Sequence, residues 1–240
     1  MSRQRRHPEP ELTQPPRPSL GVALRRLLAK VVFWGAVIIV AAVLLFSVLN
    51  PPTTHTILND PKATYSRDWV DFEDIAPVMA RSVVAAEDAN FCSHWGFDMA
   101  EIRKVIEAGS ARGASTLSQQ VVKNVYLWQG RSWARKALEA ALTPLVEAAW
   151  SKRRILEVYL NVAEFGPGIY GVDVAARELF GTTPGKLTAR QAARLAAVLP
   201  NPKERNAANP DAATRRRAAQ IIDGAATIAA DGRDRCFRLP

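Results

Sequence analysis

The sequence predicts an all-α exported domain behind one N-terminal transmembrane helix, and three observations carry that prediction. From Trp69 onward apolar residues recur at helical spacing, and no convincing run of alternating residues marks a strand. Two helix starts carry a capping-box signature, Thr116 with Gln119 and Thr188 with Gln191. Residues 31–49 are uncharged throughout, a run long enough to cross a bilayer core of about 30 Å as a helix.

Taken in order, residues 1–30 read as a cytoplasmic, basic, Pro-rich tail. Arg3, Arg5, Arg6, Arg17, Arg25, Arg26 and Lys30 stand there against Glu9 and Glu11, and supply much of the net charge of +9. A composition of this kind builds no core. Its charges do not sit on a folded face with aromatics between them, as a nucleic-acid site requires. They serve instead as a topology signal that keeps the N-terminus inside and exports the chain beyond residue 50. The apolar run at 31–49 exceeds the ~7–15 residues usual in a cleaved signal peptide, so it reads as an anchor. Residues 50–68, with prolines at 51, 52 and 61, read as a linker, and 69–240 as the domain.

Within the domain, Ile75, Val78, Met79 and Val83 suit an amphipathic helix running into Glu87-Asp88. A second helix covers 99–108. Thr116 opens a third, with Leu117, Val121 and Val125 on one face. Residues 133–150 place Leu138, Leu142, Leu145 and Ala149 on one stripe, with Pro144 as a kink. A short helix over 152–160 ends at Asn161 and the Gly166-Pro167-Gly168 loop. Two more helices run from Thr188 through Leu199 and from Asp211 through Ala230. Cys92 and Cys236 both lie on the exported side, where a disulfide and two free thiols are equally open readings. His7, His55 and His94 are scattered without zinc-site spacing.

Three groups of residues can do chemistry. Glu87 follows the apolar run Val83-Val84-Ala85-Ala86, surroundings that raise a carboxyl's pKa and suit it to proton transfer near neutrality. Adjacent acids cannot share a helix face, so Asp88 is left to hold the following loop through backbone hydrogen bonds. A helix ending in solvated acids is the plainer reading. Thr116, Gln120 and Lys123 share one helical stripe, which suits a substrate rich in oxygen and negative charge, or else is only a solvated face. Arg135 and Glu139 are neighbours at four residues' separation, and alone could be a surface pair worth under about 1 kcal/mol. From 123 to 154, however, seven Lys or Arg face two acids, a balance that attracts phosphate head groups. Lys152-Arg153-Arg154 reads as a solvated helix start near lipid. Joined together, Lys123 and Arg135 could hold a diphosphate. Glu139 could orient Arg135 or bind a divalent metal such as magnesium on that diphosphate. Glu87 would then serve as base for an attacking hydroxyl.

Five stretches, in order, resemble the peptidoglycan glycosyltransferase family, and in particular its monofunctional branch. They are Glu87-Asp88-x-x-Phe91-x-x-His94-x-Gly96, Gly113-x-Ser115-Thr116-x-x-Gln119-Gln120-x-x-Lys123-Asn124, and Arg135-Lys136-x-x-Glu139. Arg154-Ile155-Leu156-Glu157-x-Tyr159-Leu160-Asn161 and Gly168-x-x-Gly171-x-x-x-Ala175-Ala176 complete the set. The resemblance implies a lysozyme-like, two-lobed α fold with one partly hydrophobic lobe dipping into the membrane. It implies polymerisation of lipid II into β-1,4-linked glycan strands, with inversion and release of undecaprenyl diphosphate.

Carried over residue by residue, Glu87 and Glu139 match the catalytic acids, with a divalent metal (magnesium or manganese) expected at Glu139. Lys123 and Arg135 match diphosphate ligands. Asp88, Phe91, Ser115, Thr116, Gln119, Gln120, Asn124 and Lys136 are expected along the substrate cleft, and Tyr159 and Leu160 in the core. The implied partners are lipid II, the growing glycan chain, the inner membrane and other cell-wall synthases and division proteins, with no nucleic acid. Two features depart from the pattern: a short loop at 107–112, and Cys92, which has no place in that chemistry. No Ser-x-x-Lys nucleophile occurs in the exported chain, so cross-linking is not expected. A lytic enzyme with one catalytic Glu is the rival reading, and a non-catalytic scaffold of the cell-wall machinery is the third.

Overall fold

The computed structural model describes residues 19–63, 68–109, 113–130 and 132–239. The chain divides into two units, Met1–Ala42 and Val43–Pro240. The first consists of most of helix α1 (Leu20–Phe46), whose apolar side chains are exposed along its length. This helix is long and apolar enough to cross a membrane. It begins at Leu20 rather than at 31, because Arg25, Arg26 and Lys30 are good helix formers and continue the helix outward.

The second unit opens on the last turn of α1, and three consecutive basic residues show how it is tied down. Arg154 donates to the carbonyls of Phe46 at 3.1 Å and Leu49 at 2.6 Å, satisfying acceptors that a helix end leaves without partners. Trp150 Nε1 donates to the carbonyl of Val43 at 2.8 Å. Arg153 reaches the carbonyl of Arg238 and the carboxylate of Glu73. Lys152 pairs with the buried Glu147 at 2.8 Å. The expected solvated helix start is therefore a set of internal ties. Lys152 and Arg154 satisfy acceptors that folding covers, while Arg153 ties down exposed ones.

The expected linker is also built into the domain. Thr54 caps the short helix α2 (His55–Leu58), and Ile57, Ala63 and Tyr170 bury against one another. Residues 64–67 lie outside the described residues. Helix α3 (Pro77–Glu87) packs with α9 (Ala189–Val198) and α10 (Ala212–Asp231). The buried faces of α9 are Ala192, Ala193, Ala196 and Ala197, small side chains that let helix backbones approach. Helix α5 (Leu117–Tyr126) packs on α6 (Trp133–Ala149) and α7 (Lys152–Val162), with Leu117, Val121, Ile155 and Tyr159 in the core. Asn161 clasps both backbone groups of Val70 at 2.9 Å, which makes the end of the fourth motif structural.

Helix α6 is rotated from its expected register. It buries Glu139, Leu142, Thr143, Val146 and Glu147, while Leu138 and Leu145 are exposed. The stripe read from leucines alone missed that two glutamates belong to the inner face, where cations neutralise them. Trp128 and Trp133, before and at the start of α6, are exposed too, Trp133 at 91 %. Helix α4 (Met99–Glu107) buries no residue, and its Met99 and Ile106 are likewise exposed.

Two elements were not foreseen. A two-stranded hairpin, β1 (Glu164–Gly166) with β2 (Ile169–Tyr170), forms about the Gly-Pro-Gly loop. Gly168 there has φ +78°, and a Cβ would stand 2.0 Å from the carbonyl oxygen of Lys62. Helix α8 (Val172–Phe180) comes directly after, covering the fifth motif. Finally, Cys92 and Cys236 form a disulfide closing 144 residues of chain. That bond resolves the two readings left open and ties the C-terminal tail to the first motif.

Candidate active site

The capping box at the head of α5 forms as its sequence predicts. Thr116 accepts from the backbone N–H of Gln119, and the Gln119 side chain accepts from that of Thr116. The Thr116 hydroxyl also donates to the carbonyl of Gly96 at 2.7 Å, fastening the first motif to this helix. Only glycine serves at 96: its φ is +87°, and a Cβ would lie 2.7 Å from Cγ2 of Thr143. Gln119 is thus a buried joint, and Thr116 lines the hollow beside Glu87 with its hydroxyl engaged inside the protein. Their polar atoms are spent on the helix start and on the loop it holds.

Phe91 is likewise a packing residue, and Asp88 lines the hollow beside Glu87 while its carboxylate serves the protein. Asp88 accepts from the backbone N–H of Leu117 at 3.0 Å and from His94 Nε2 at 2.8 Å, so both its oxygens are engaged inside the protein. Phe91 is fully buried, with the Lys152 ammonium 4.4 Å over its ring. These residues hold the loop after Glu87 in place. For Asp88 this is the backbone role that its position beside Glu87 suggests.

Glu87, the last residue of α3, presents its carboxylate to α5. Gln120 Nε2 donates to Oε2 at 3.0 Å, and Arg217 Nη2 of α10 stands 3.6 Å from Oε1. The Gln120 carbonyl in turn accepts from the Tyr159 hydroxyl at 3.2 Å. Burial pushes the Tyr159 phenol well above its ordinary pKa, with the charge on Glu87 adding to the effect, so Tyr159 remains a donor. A donating phenol leaves only one useful orientation for the Gln120 amide, with its NH2 toward Glu87. Tyr159→Phe should therefore lower kcat by about tenfold through loss of that alignment, with a stability loss near ~1 kcal/mol. Steady-state kinetics with a thermal melt check it.

The cationic side of the site lies one turn further along α5 and on α6. Lys123 is half-buried. Burial pushes its ammonium below the ordinary lysine pKa, while the charges on Glu139 and Glu87 pull it back up. Arg135 Nη1 donates to Oε2 of Glu139 at 2.7 Å, and Lys136 pairs with the other oxygen while donating to Ser115 Oγ at 3.0 Å. Glu139 is 2 % exposed. With Lys123 included, three cations face one acid, which leaves net positive charge for an anionic ligand.

The expected metal at Glu139 does not fit this donor set. A magnesium site wants a carboxylate oxygen open to the ion. Here both oxygens are taken by cations, and among the described residues no group of three His, Cys, Asp or Glu could hold a metal. Glu139 instead fixes Arg135 and Lys136.

Two hollows meet at the Glu87–Gln120 hydrogen bond. One, about 180 Å³, is lined by Glu87, Asn90, Asp98, Glu101 and the 113–116 stretch. The other, about 280 Å³, is lined by Gln120, Lys123, Asn124, Tyr159, Glu164 and Lys203. The acidic hollow suits a sugar hydroxyl and the basic one an anion. Of the predicted residues, Glu87, Asp88, Ser115 and Thr116 line the first hollow and Gln120, Lys123 and Asn124 the second, while Lys136 joins Ser115 to the Arg135–Glu139 cluster beside them. The 107–112 loop falls mainly on residues 110–112, outside the described residues. Arg217 escaped sequence reading, because nothing local marks one arginine in Arg215-Arg216-Arg217 as reaching α3.

Comparison with known proteins accords with this geometry. Residues 53–226 match the family model described as Transglycosylase. The "Biosynthetic peptidoglycan transglycosylase" of Jannaschia sp. (strain CCS1) is 54 % identical over 220 residues, covering 91 % of this chain and 92 % of the relative. The protein of the same name from Cronobacter sakazakii is 45 % identical over 219 residues, covering 86 % of this chain and 91 % of the relative. That from Rhizobium meliloti is 53 % identical over 161 residues, covering 65 % and 68 %.

Proposed function

The chain belongs to the transglycosylase family and is a peptidoglycan glycosyltransferase, and from that premise we propose how its groove polymerises lipid II. Glu87 takes the proton from the 4-hydroxyl of the acceptor sugar as that oxygen attacks the anomeric carbon of the donor. The attack comes from the face opposite the diphosphate, so the new bond is β-1,4. The bond to the diphosphate breaks, and its electron pair leaves on undecaprenyl diphosphate. Lys123 and Arg135 receive that anion, with Lys136 behind them and Glu139 holding both α6 cations in position. A cation already in place needs no reorganisation when charge develops.

One observation carries this reading: the Glu87 carboxylate is hydrogen-bonded to Gln120, on the same helix and one turn before Lys123. This supports a proton acceptor and a charge holder working side by side, in hollows bridged by Gln120. Incubation with lipid II tests it, with polymer and free lipid diphosphate as the expected products. Cutting of preformed sacculi with no polymer would replace this reading by the lytic one, which has no use for a diphosphate site.

The lowered Lys123 pKa adds a pH signature. The ammonium is the form that holds phosphate, and it is lost at lower pH than in an exposed lysine. KM for the donor should therefore rise on the alkaline side below the usual lysine range, and Lys123→Arg should abolish that rise. A KM that stays flat up to ordinary lysine titration would contradict the role.

The topology belongs to the same reading. Helix α1 anchors the chain in the inner membrane with the basic tail inside and the catalytic domain in the periplasm. The Arg- and Lys-rich flank and a disulfide suited to an oxidising compartment support that orientation. The exposed Trp128, Trp133, Leu138 and Leu145 would rest in the outer leaflet, where the lipid substrate lies.

A further inference from the structure

The segment that carries Glu87 is held along its length by the C-terminal helix and tail. Gly224 of α10 lets that helix close on α3, since a Cβ there would stand 3.2 Å from that of Ala85. Arg217 Nη2 donates to the carbonyl of Ala86 at 3.2 Å and stands 3.6 Å from Oε1 of Glu87. Beyond the helix, Arg233 Nη1 donates to the carbonyl of Ala89 at 3.3 Å. Cys236 closes the set through its disulfide to Cys92. Of these four ties, the one at Arg217 delivers a charge to the carboxylate.

We propose that Arg217 is a positioning residue for glycan polymerisation, keeping the Glu87 carboxylate ionised and aimed at the acceptor hydroxyl. The inference rests on Glu87 being the base. A carboxylate accepts a proton only when ionised, and an adjacent cation favours that form. Among the described residues, Asp98 and Glu101 line the same hollow as like charges, and three further groups near Glu87 differ from Arg217. Tyr159 on α7 stays protonated and neutral. Asp88 is a like charge whose oxygens serve Leu117 and His94. Lys123 on α5 is within electrostatic reach, but the donor diphosphate draws on its charge when substrate is bound. The guanidinium of α10, 3.6 Å from Oε1, thus stands as a counter-charge for the base during the reaction. Gln120 hydrogen-bonds one carboxylate oxygen, and Arg217 stands near the other from a second helix, its Nη2 anchored on the Ala86 carbonyl.

The test is the pH profile of lipid II polymerisation by the full chain, for wild type, R217Q and R217K. On the acidic side kcat/KM rises as the base ionises. R217Q removes the neighbouring positive charge, so that rise should move to higher pH by about one unit. Its plateau should fall about tenfold through lost alignment. R217K keeps the charge on a shorter stem without the planar fork, so its limb should move by less and its plateau fall by less. A lowered plateau with the acidic limb unmoved would show a merely structural arginine and overturn the proposal. Should R217Q fail to fold, the neutral R217M decides in its place: an upward shift of its limb supports the proposal, and a limb in the wild-type position overturns it. E87Q assayed alongside separates the two levels. An active E87Q sinks the reading of Glu87 as base, whereas an inactive E87Q with unmoved limbs in the Arg217 variants sinks the inference alone.

Discussion

Glu87→Gln is expected to lower lipid II polymerisation by about a thousandfold while the melting temperature stays near that of wild type. The substitution keeps the shape of the side chain and a carbonyl for Gln120 to donate to. What it removes is the proton acceptor. The side chain is mostly covered, with Gln120 on one oxygen and Arg217 near the other. Asp88 is adjacent in the chain, but its oxygens point to Leu117 and His94. A turnover assay with a thermal melt decides the matter. Retained turnover in a folded protein would take Glu87 out of the mechanism.

The largest loss of stability is expected at a residue remote from the chemistry. Lys152→Met should destabilise the domain by about 3–5 kcal/mol, because it leaves the Glu147 carboxylate buried without its cation. Glu147 lies on the inner face of α6, accepts from Ser118 of α5 and touches the space beside Gly96. The Lys152 ammonium also covers the Phe91 ring, so one side chain joins α6, α7 and the loop after Glu87. The double variant Lys152→Met with Glu147→Gln should recover much of the loss, since it removes the stranded charge. A single variant as stable as wild type in chemical denaturation would show that the pair lies open to water.

That pair also shows where sequence reasoning stops. Lys152-Arg153-Arg154 looks like a solvated run, and Glu147, between Val146 and Ala148, looks like a surface acid. Nothing within a helical turn reveals that they neutralise one another. Local patterns were legible wherever partners are close in sequence: the capping boxes at Thr116 and Thr188, the Asp211 cap and the Arg135–Glu139 neighbours all form. The adjacency of Glu87 and Asp88 likewise separated a base from a loop-holding group. Contacts spanning the chain were not legible. Arg217 is 131 residues from the carbonyl it binds, Cys236 is 144 from Cys92, and Lys62 meets the hairpin glycine only in the fold. The motif residues Gln119 and Phe91 read as cleft residues for a related reason. A residue that builds a site and one that touches the substrate look the same in a motif, and burial alone separates them.

The affinity of undecaprenyl diphosphate for wild type, Glu87→Gln, Lys123→Ala and Arg135→Ala bears most directly on the division of labour between the acid and the cations. Removing a charged hydrogen-bond partner of the diphosphate should weaken binding about tenfold or more in each cation variant. Glu87→Gln should bind as wild type does, yet not turn over. Equal loss of affinity in Glu87→Gln, or wild-type affinity in Lys123→Ala, would contradict a groove in which one group takes the proton and others hold the leaving anion.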